Sequence, residues 1–173
     1  YHIERTMSQS WDSSIKDELQ MVELEIHRSI RSEQPVLTEI CGYVISSGGK
    51  RMRPGVTILS YLASGGKDVS EAIKIAAAFE MIHSATLIHD DINDRSEKRR
   101  GRLSAYKKFG LQQALVSGDF LFVKAFAIGG FFNEEIVSLV AEACTAIAES
   151  EIVQFEKEGE IAPLDVYLGI IEG

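Results

Sequence analysis

Apolar residues recur along the first part of the chain with the step of a helix, not of a strand. Ile15, Leu19, Val22, Ile26 and Ile30 are spaced by 4, 3, 4 and 4 residues, so they line one face of an amphipathic helix. Pro35 breaks that run, and Leu37, Ile40, Cys41 and Val44 make the stripe of a second helix over about 36–45. "SSGGKRMRP" over 46–54 ends it, and Pro54 suits the first turn of a third helix reaching about residue 63. A fourth opens at Ser70 and runs through "IKIAAAFEMIHSATLIHDDIND" to residue 94. Further helices are predicted over about 112–127 and 133–157. Asn133 caps the latter, with Glu134 and Glu135 in its first turn, and "APLDVYLGII" starts a last helix. No stretch alternates apolar and polar residues at strand length between hairpin turns. The pattern therefore predicts an all-α helical bundle, one domain over 1–173 without internal repeats, in which residues 1–6 before Met7 read as a possible leader.

Composition narrows the function. A chain of 173 residues with 45% hydrophobic and 25% charged residues can bury a core and reads as soluble and globular. Its net charge of −8 argues against a nucleic-acid partner, so any anion it binds must meet a local basic cluster. Cys41 and Cys144 lack metal-ligand spacing and are expected to be free thiols. The most apolar stretch, "FLFVKAFAIGGFF", carries Lys124 and falls short of the roughly 18 residues of a membrane span. With no signal peptide visible, a cytoplasmic protein is expected.

The charges are unevenly placed. "LIHDDINDRSEKRRG" over 87–101 sets three aspartates beside a basic run. At about 100° per residue, Asp90, Asp91 and Asp94 project within one arc of about 100° on a helix. Their mutual repulsion is eased by a hard cation, and oxygen ligands without a His or Cys pair suit Mg2+ sharing its sphere with substrate phosphates. Taken singly, such a cluster is more often a solvated helix end. His83, two turns before Asp90, looks along the same face, whereas His89 points away from it. Arg95, Lys98, Arg99, Arg100 and Arg102 follow, and arginine forks match phosphate oxygens. "GGKRMRP" supplies a second basic cluster, with Lys50 and Arg53 one turn apart, on a glycine spacing that is not a Walker A loop. Metal-holding carboxylates beside two separate basic clusters describe a cleft for two diphosphates, only one of which shares the metal.

Together, "GGKRMRP", "IHSATLIHDDIND", "RRG" and "SGDFLF" resemble the trans-isoprenyl diphosphate synthase (polyprenyl synthetase) family, from about Ser14 onward. The resemblance implies an isoprenoid-synthase helical bundle and a prenyltransferase that joins an allylic prenyl diphosphate to isopentenyl diphosphate. Asp90, Asp91 and Asp94 match the family's first aspartate motif, which holds Mg2+, and Arg99 matches a contact to the allylic diphosphate. Lys50, Arg53, His83 and Arg100 match the isopentenyl diphosphate pocket, and Gln154 resembles a glutamine facing the same cavity. Ala85 and Thr86, five and four residues before Asp90, are not aromatic, which in this family implies a geranylgeranyl or longer product. Phe122 and Phe126 are candidates for a deeper floor, and a homodimer through residues 105–145 is expected.

The sequence also departs from the family. The Lys-Thr pair and the second aspartate motif that relatives carry do not occur in these 173 residues, so the isolated polypeptide is expected to have little synthase activity. Arg95 stands where many relatives have an acid. The rival readings are a terpene cyclase, a noncatalytic or partner-dependent subunit of a synthase, and a plain helical scaffold.

Overall fold

The computed structural model describes residues 11–129, 132–157, 159, 161 and 163–172. Helix α1 (Lys16–Ser29) follows a short 3-10 turn and buries the predicted stripe through Ile15, Val22, Ile26 and Ile30, with Leu19 only half-buried. Pro35 opens α2 (Pro35–Ile45), where its fixed φ is already helical and its missing N–H costs nothing. Helix α3 (Met52–Ala63) begins two residues before the predicted start, so Pro54 lies inside its first turn, where no intrahelical N–H is yet required.

At the centre is α4 (Ser70–Asn93), packed against α1, α2 and α3 and most extensively against α6 (Leu111–Gly129). Its buried positions go almost all the way round, from Ala72 to Asp91, and include the small residues Ala76, Ala77, Ala78 and Ala85. Small side chains allow neighbouring helices to approach on several sides at once, which is why α4 lacks the single apolar stripe of α1. α6 answers with Ala114, Ser117, Gly118, Leu121, Ala125 and Ile128. Gly118 is required by the close fit: a Cβ there would sit 2.4 Å from His89 Nε2.

Between α4 and α6 lie two features the pattern did not predict. Strands β1 (Lys98–Arg99) and β2 (Arg102–Leu103) form a two-residue antiparallel ladder, with Lys98 opposite Leu103 and Arg99 opposite Arg102. The connecting Arg100 and Gly101 have φ of 51° and 79°, and positive φ at both central residues is what a tight hairpin turn needs. Strands this short cannot show period-two alternation, so the fold remains all-α while the site gains a hairpin. Helix α5 (Ala105–Phe109) then leads into α6.

The single-domain expectation meets a finer division, because the chain forms two compact units, 1–129 and 130–173. The second contains α7 (Glu134–Glu156) and α8 (Leu164–Glu172). Asn133 caps α7 as expected, its Oδ1 accepting from Ile136 N at 2.9 Å. α6 is longer than its apolar core suggested, and by length and composition alone it passes for a membrane span. It nevertheless carries Asp119 and Lys124 and is packed along α4. Both cysteines are free. Cys41 is buried, donates to Ser117 O at 3.8 Å, and is pushed up to about 12 by burial, which keeps it an unreactive thiol.

Candidate active site

Helix α4 stops in a way that determines where its aspartates point. Arg95, at φ 53°, turns left-handed just past the helix, and its N–H bonds to Ile92 O while Ser96 N–H bonds to Asp91 O. These two bonds are the Schellman arrangement, and Arg95 occupies the position usually given to glycine. Asp90, Asp91 and Asp94 therefore gather at the carbonyl end of α4, whose last turn carries no basic residue. The helix dipole makes that end negative, so the cluster adds like charge to like and is stabilised by a cation or by cationic side chains.

The hairpin supplies one of those side chains. Arg99 Nε donates to Asp91 Oδ1 at 2.8 Å, and Asp91 is only 4% exposed. Burial pushes the Asp91 carboxyl above the usual range, and the Arg99 bond pulls the other way without fully offsetting it. Asp90 is half-buried and Asp94 exposed, and the two share a face one turn apart. Of the three, Asp91 is the carboxylate that accepts from Arg99. Among the described residues no three acidic, His or Cys side chains converge to hold an ion by themselves.

Arg100, next along the hairpin, turns to the other cluster. A Cβ on Gly49 would meet Arg100 Nη1 at 2.7 Å, so the guanidinium rests directly on the glycine loop that precedes Lys50. His83 lies within the field of the same groups. Burial first, then the charges of Arg53, Arg100, Arg99 and Arg51, push it down to about 4, so it is neutral at pH 7 and able to donate or accept a hydrogen bond. Lys50 and Arg53 are exposed. The charges of Arg53 on α3 and Arg100 on the hairpin thus both reach His83 on α4.

The remaining predicted residues are placed less closely. Ala85 is fully buried, and Thr86 is half-buried with its Oγ1 donating to His83 O at 2.9 Å. Phe122 stacks on His89 with ring centroids 6.0 Å apart, and Phe126 is 43% exposed on α6. His89 faces away from the aspartates as expected. Its Nε2 is 3.4 Å from Asp119 Oδ1 but outside hydrogen-bonding geometry. Gln154 is exposed on α7 in the second unit.

Two groups escaped the sequence reading. Arg51, read as part of the surface basic cluster, points inward to Glu23 and Glu80. Glu80 was the available signal, a lone acid within the apolar run "AAAFEMI" of a helix buried on most sides. Tyr43 is the second: Lys108 Nζ lies 3.9 Å and Arg102 Cζ 4.2 Å from its ring centroid, and its hydroxyl donates to Leu103 O at 2.8 Å.

The hairpin thus joins the acidic end of α4, through Arg99, to the glycine loop before Lys50, through Arg100. The polyprenyl synthetase family profile matches residues 34–173, and the chain belongs to that family. It is 36% identical over 150 residues to an all-trans-nonaprenyl-diphosphate synthase (geranyl-diphosphate specific) of Rhodobacter capsulatus, covering 86% of this chain and 46% of that one. It is also 36% identical over 151 residues to a geranylgeranyl pyrophosphate synthase of Geoglobus acetivorans, covering 83% and 47%. A crystal structure of a polyprenyl synthase from Caulobacter crescentus CB15, complexed with calcium and isoprenyl diphosphate, superposes with a TM-score of 0.89 at 32% identity. That match covers 94% of this chain and 50% of the other. The chain spans about half the length of the curated relatives it matches.

Proposed function

We infer that this chain carries the substrate-binding half of a trans-prenyltransferase, which joins an allylic prenyl diphosphate to isopentenyl diphosphate. The observation that carries the reading is the divergence of Arg99 and Arg100. Neighbours on one hairpin, they serve two clusters, Arg99 bonding Asp91 and Arg100 resting on Gly49 beside Arg53 and His83. Two anionic groups can then be held at once in a fixed relation, which is the positional requirement of a condensation between two diphosphates.

Asp90, Asp91 and Asp94 are the carboxylates that would hold Mg2+ against the allylic diphosphate, Asp91 while also bonded to Arg99, and the ion would supply charge neutralisation for the departing group. Arg99, oriented by its bond to Asp91, binds the same diphosphate from the hairpin side. Lys50, Arg53, Arg100 and neutral His83 bind and orient isopentenyl diphosphate. The reaction breaks the allylic C1–O bond with its electron pair leaving on diphosphate. The double bond of isopentenyl diphosphate then forms the new C–C bond, and a proton is lost to restore a double bond. Water must be kept from the cation, and the apolar α4–α6 packing is consistent with that need. Ala85 and Thr86 offer no aromatic stop, so the product is geranylgeranyl diphosphate or longer, with Phe122 and Phe126 as floor candidates. Exposed Leu115, Val116, Val123 and Phe126 on α6 fit self-association as a homodimer.

The test is elongation with Mg2+, radiolabelled isopentenyl diphosphate and farnesyl diphosphate, run on this chain and on any longer form of the gene product, with products resolved by length. Elongation by the longer form supports the reading. Folded protein that binds both diphosphates yet elongates in neither form would assign it to a partner-dependent subunit instead.

A further inference from the structure

Arg51 interrupts the basic loop in both backbone and side chain. It is the residue before α3, at φ 50°, a left-handed conformation that a non-glycine residue adopts only when its surroundings hold it there. Between exposed Lys50 and exposed Arg53, its side chain takes the opposite course. Nη1 donates to Glu80 Oε1 on α4 at 2.7 Å, and Nη2 to Ile45 O at the end of α2 at 2.9 Å and to Glu23 Oε2 on α1 at 3.3 Å. Nε completes a forked pair with Glu23. Glu80 is buried, so one planar guanidinium ties three helices to the loop. Burial works against the Arg51 charge, but Glu23 and Glu80 outweigh it and keep the group protonated.

We propose that Arg51, clasped by Glu80 and Glu23, is the positioning residue of the isopentenyl diphosphate subsite: it sets the loop and the first turn of α3, from which Lys50 and Arg53 reach the ligand, without touching the ligand itself. The proposal rests on the functional reading above. Three placements support it. Glu80 is one turn before His83 on α4, so the clasp fixes the loop against the face that carries His83. Gly49, two residues before Arg51, is the seat of Arg100. Asp91 of the aspartate cluster, by contrast, is held from the hairpin side by Arg99. Loosening Arg51 should therefore disturb one diphosphate subsite and spare the other.

The experiment compares wild type, Arg51→Lys, Glu80→Gln and the double variant by calorimetry with isopentenyl diphosphate, and separately with farnesyl diphosphate plus Mg2+. Lysine keeps the charge but cannot reproduce the fork, and glutamine keeps the shape but not the charge. Each single variant is expected to weaken isopentenyl diphosphate by about ten- to a hundredfold, with the double no worse than the stronger single and farnesyl diphosphate binding within about twofold of wild type. In Arg51→Lys, which conserves charge, His83 followed by NMR should titrate closer to 6.5 as Arg53 moves away. Glu23→Gln, which alters only the α1 arm at a more exposed carboxylate, gives the same pattern at smaller amplitude and serves if the others fail to fold. Equal weakening of both diphosphates, or unchanged isopentenyl diphosphate binding, would overturn the proposal. Wild-type protein that binds neither diphosphate would overturn the functional reading itself, and the proposal with it.

Discussion

Arg100 lies on Gly49 so closely that a single added carbon could not fit: a Cβ on Gly49 would come within 2.7 Å of Arg100 Nη1. The glycine also has φ of 152°, a region that residues with side chains rarely adopt. Gly49→Ala therefore acts twice, by strain of roughly 1–3 kcal/mol in the loop and by displacing the guanidinium. We expect weaker isopentenyl diphosphate binding by calorimetry, about tenfold, together with a lowered Tm. Gly48→Ala is the control: it has positive φ but nothing within 4 Å of its Cβ position, so it should lower Tm without moving Arg100.

Asp91 and its two fellow aspartates should separate on mutation. Asp91→Asn retains an oxygen for Arg99 but removes the charge from a buried, paired position, and breaking such a pair costs about 3–5 kcal/mol at the upper end. Its partly raised pKa already shows burial opposing the charge, which places the expected loss below that ceiling. Asp94→Ala, at an exposed helix end, should leave stability unchanged or slightly raised because it relieves repulsion and an unfavourable dipole contact. Both variants should lose Mg2+-dependent farnesyl diphosphate binding. Denaturant titration beside calorimetry checks the pair: an Asp94→Ala chain that is markedly destabilised and still binds would contradict the division of roles.

Much of this was legible in the sequence, and what was not has a common physical cause. The step of 3 and 4 between apolar residues placed α1 and α2, because each buries one face. Asn133 marked the start of α7 by local chemistry alone. The direction of Arg51 was hidden because its partners Glu23 and Glu80 lie 28 and 29 residues away, and only tertiary packing selects which of three neighbouring cations turns inward. The hairpin was hidden because two-residue strands have no period, leaving the Arg-Gly turn as its one trace. The end of α4 was legible to within one residue, at 94 against Asn93, even though an arginine stands in the glycine's place just beyond it.

His83 gives the protein a signature in pH. Its folded value, about 4, lies below the ordinary 6.5, so the unfolded chain takes up the proton first. Its contribution is fully favourable above pH 6.5, and stability is lost as pH falls from 6.5 to 4, with no further change from this group below that. His83→Gln should flatten that segment of a stability profile measured by urea titration. A bound diphosphate offsets the charges of Arg53, Arg100, Arg99 and Arg51, so saturation with isopentenyl diphosphate should move the His83 titration upward, which NMR reads directly.

The hairpin itself is held by Tyr43, and this leads to a prediction distinct from those for either cluster. The Tyr43 ring lies between Lys108 and Arg102, meets Phe109 edge-on at 5.3 Å, and its hydroxyl holds the backbone of Leu103 on β2. Each cation contact is worth about 0.5–1 kcal/mol at an exposed site, and the hydroxyl bond roughly 0.5–1.5 kcal/mol. Tyr43→Phe keeps the ring and should cost only the latter. Tyr43→Ala removes everything that ties β2 to α2 through this side chain, and the hairpin carries Arg99 toward the aspartates and Arg100 toward the glycine loop. Loosening it must affect both. Tyr43→Ala should therefore weaken isopentenyl diphosphate and Mg2+-dependent farnesyl diphosphate together, by similar factors in calorimetry, whereas a loss confined to one ligand would mean that the two arginines are positioned independently of the hairpin that joins them.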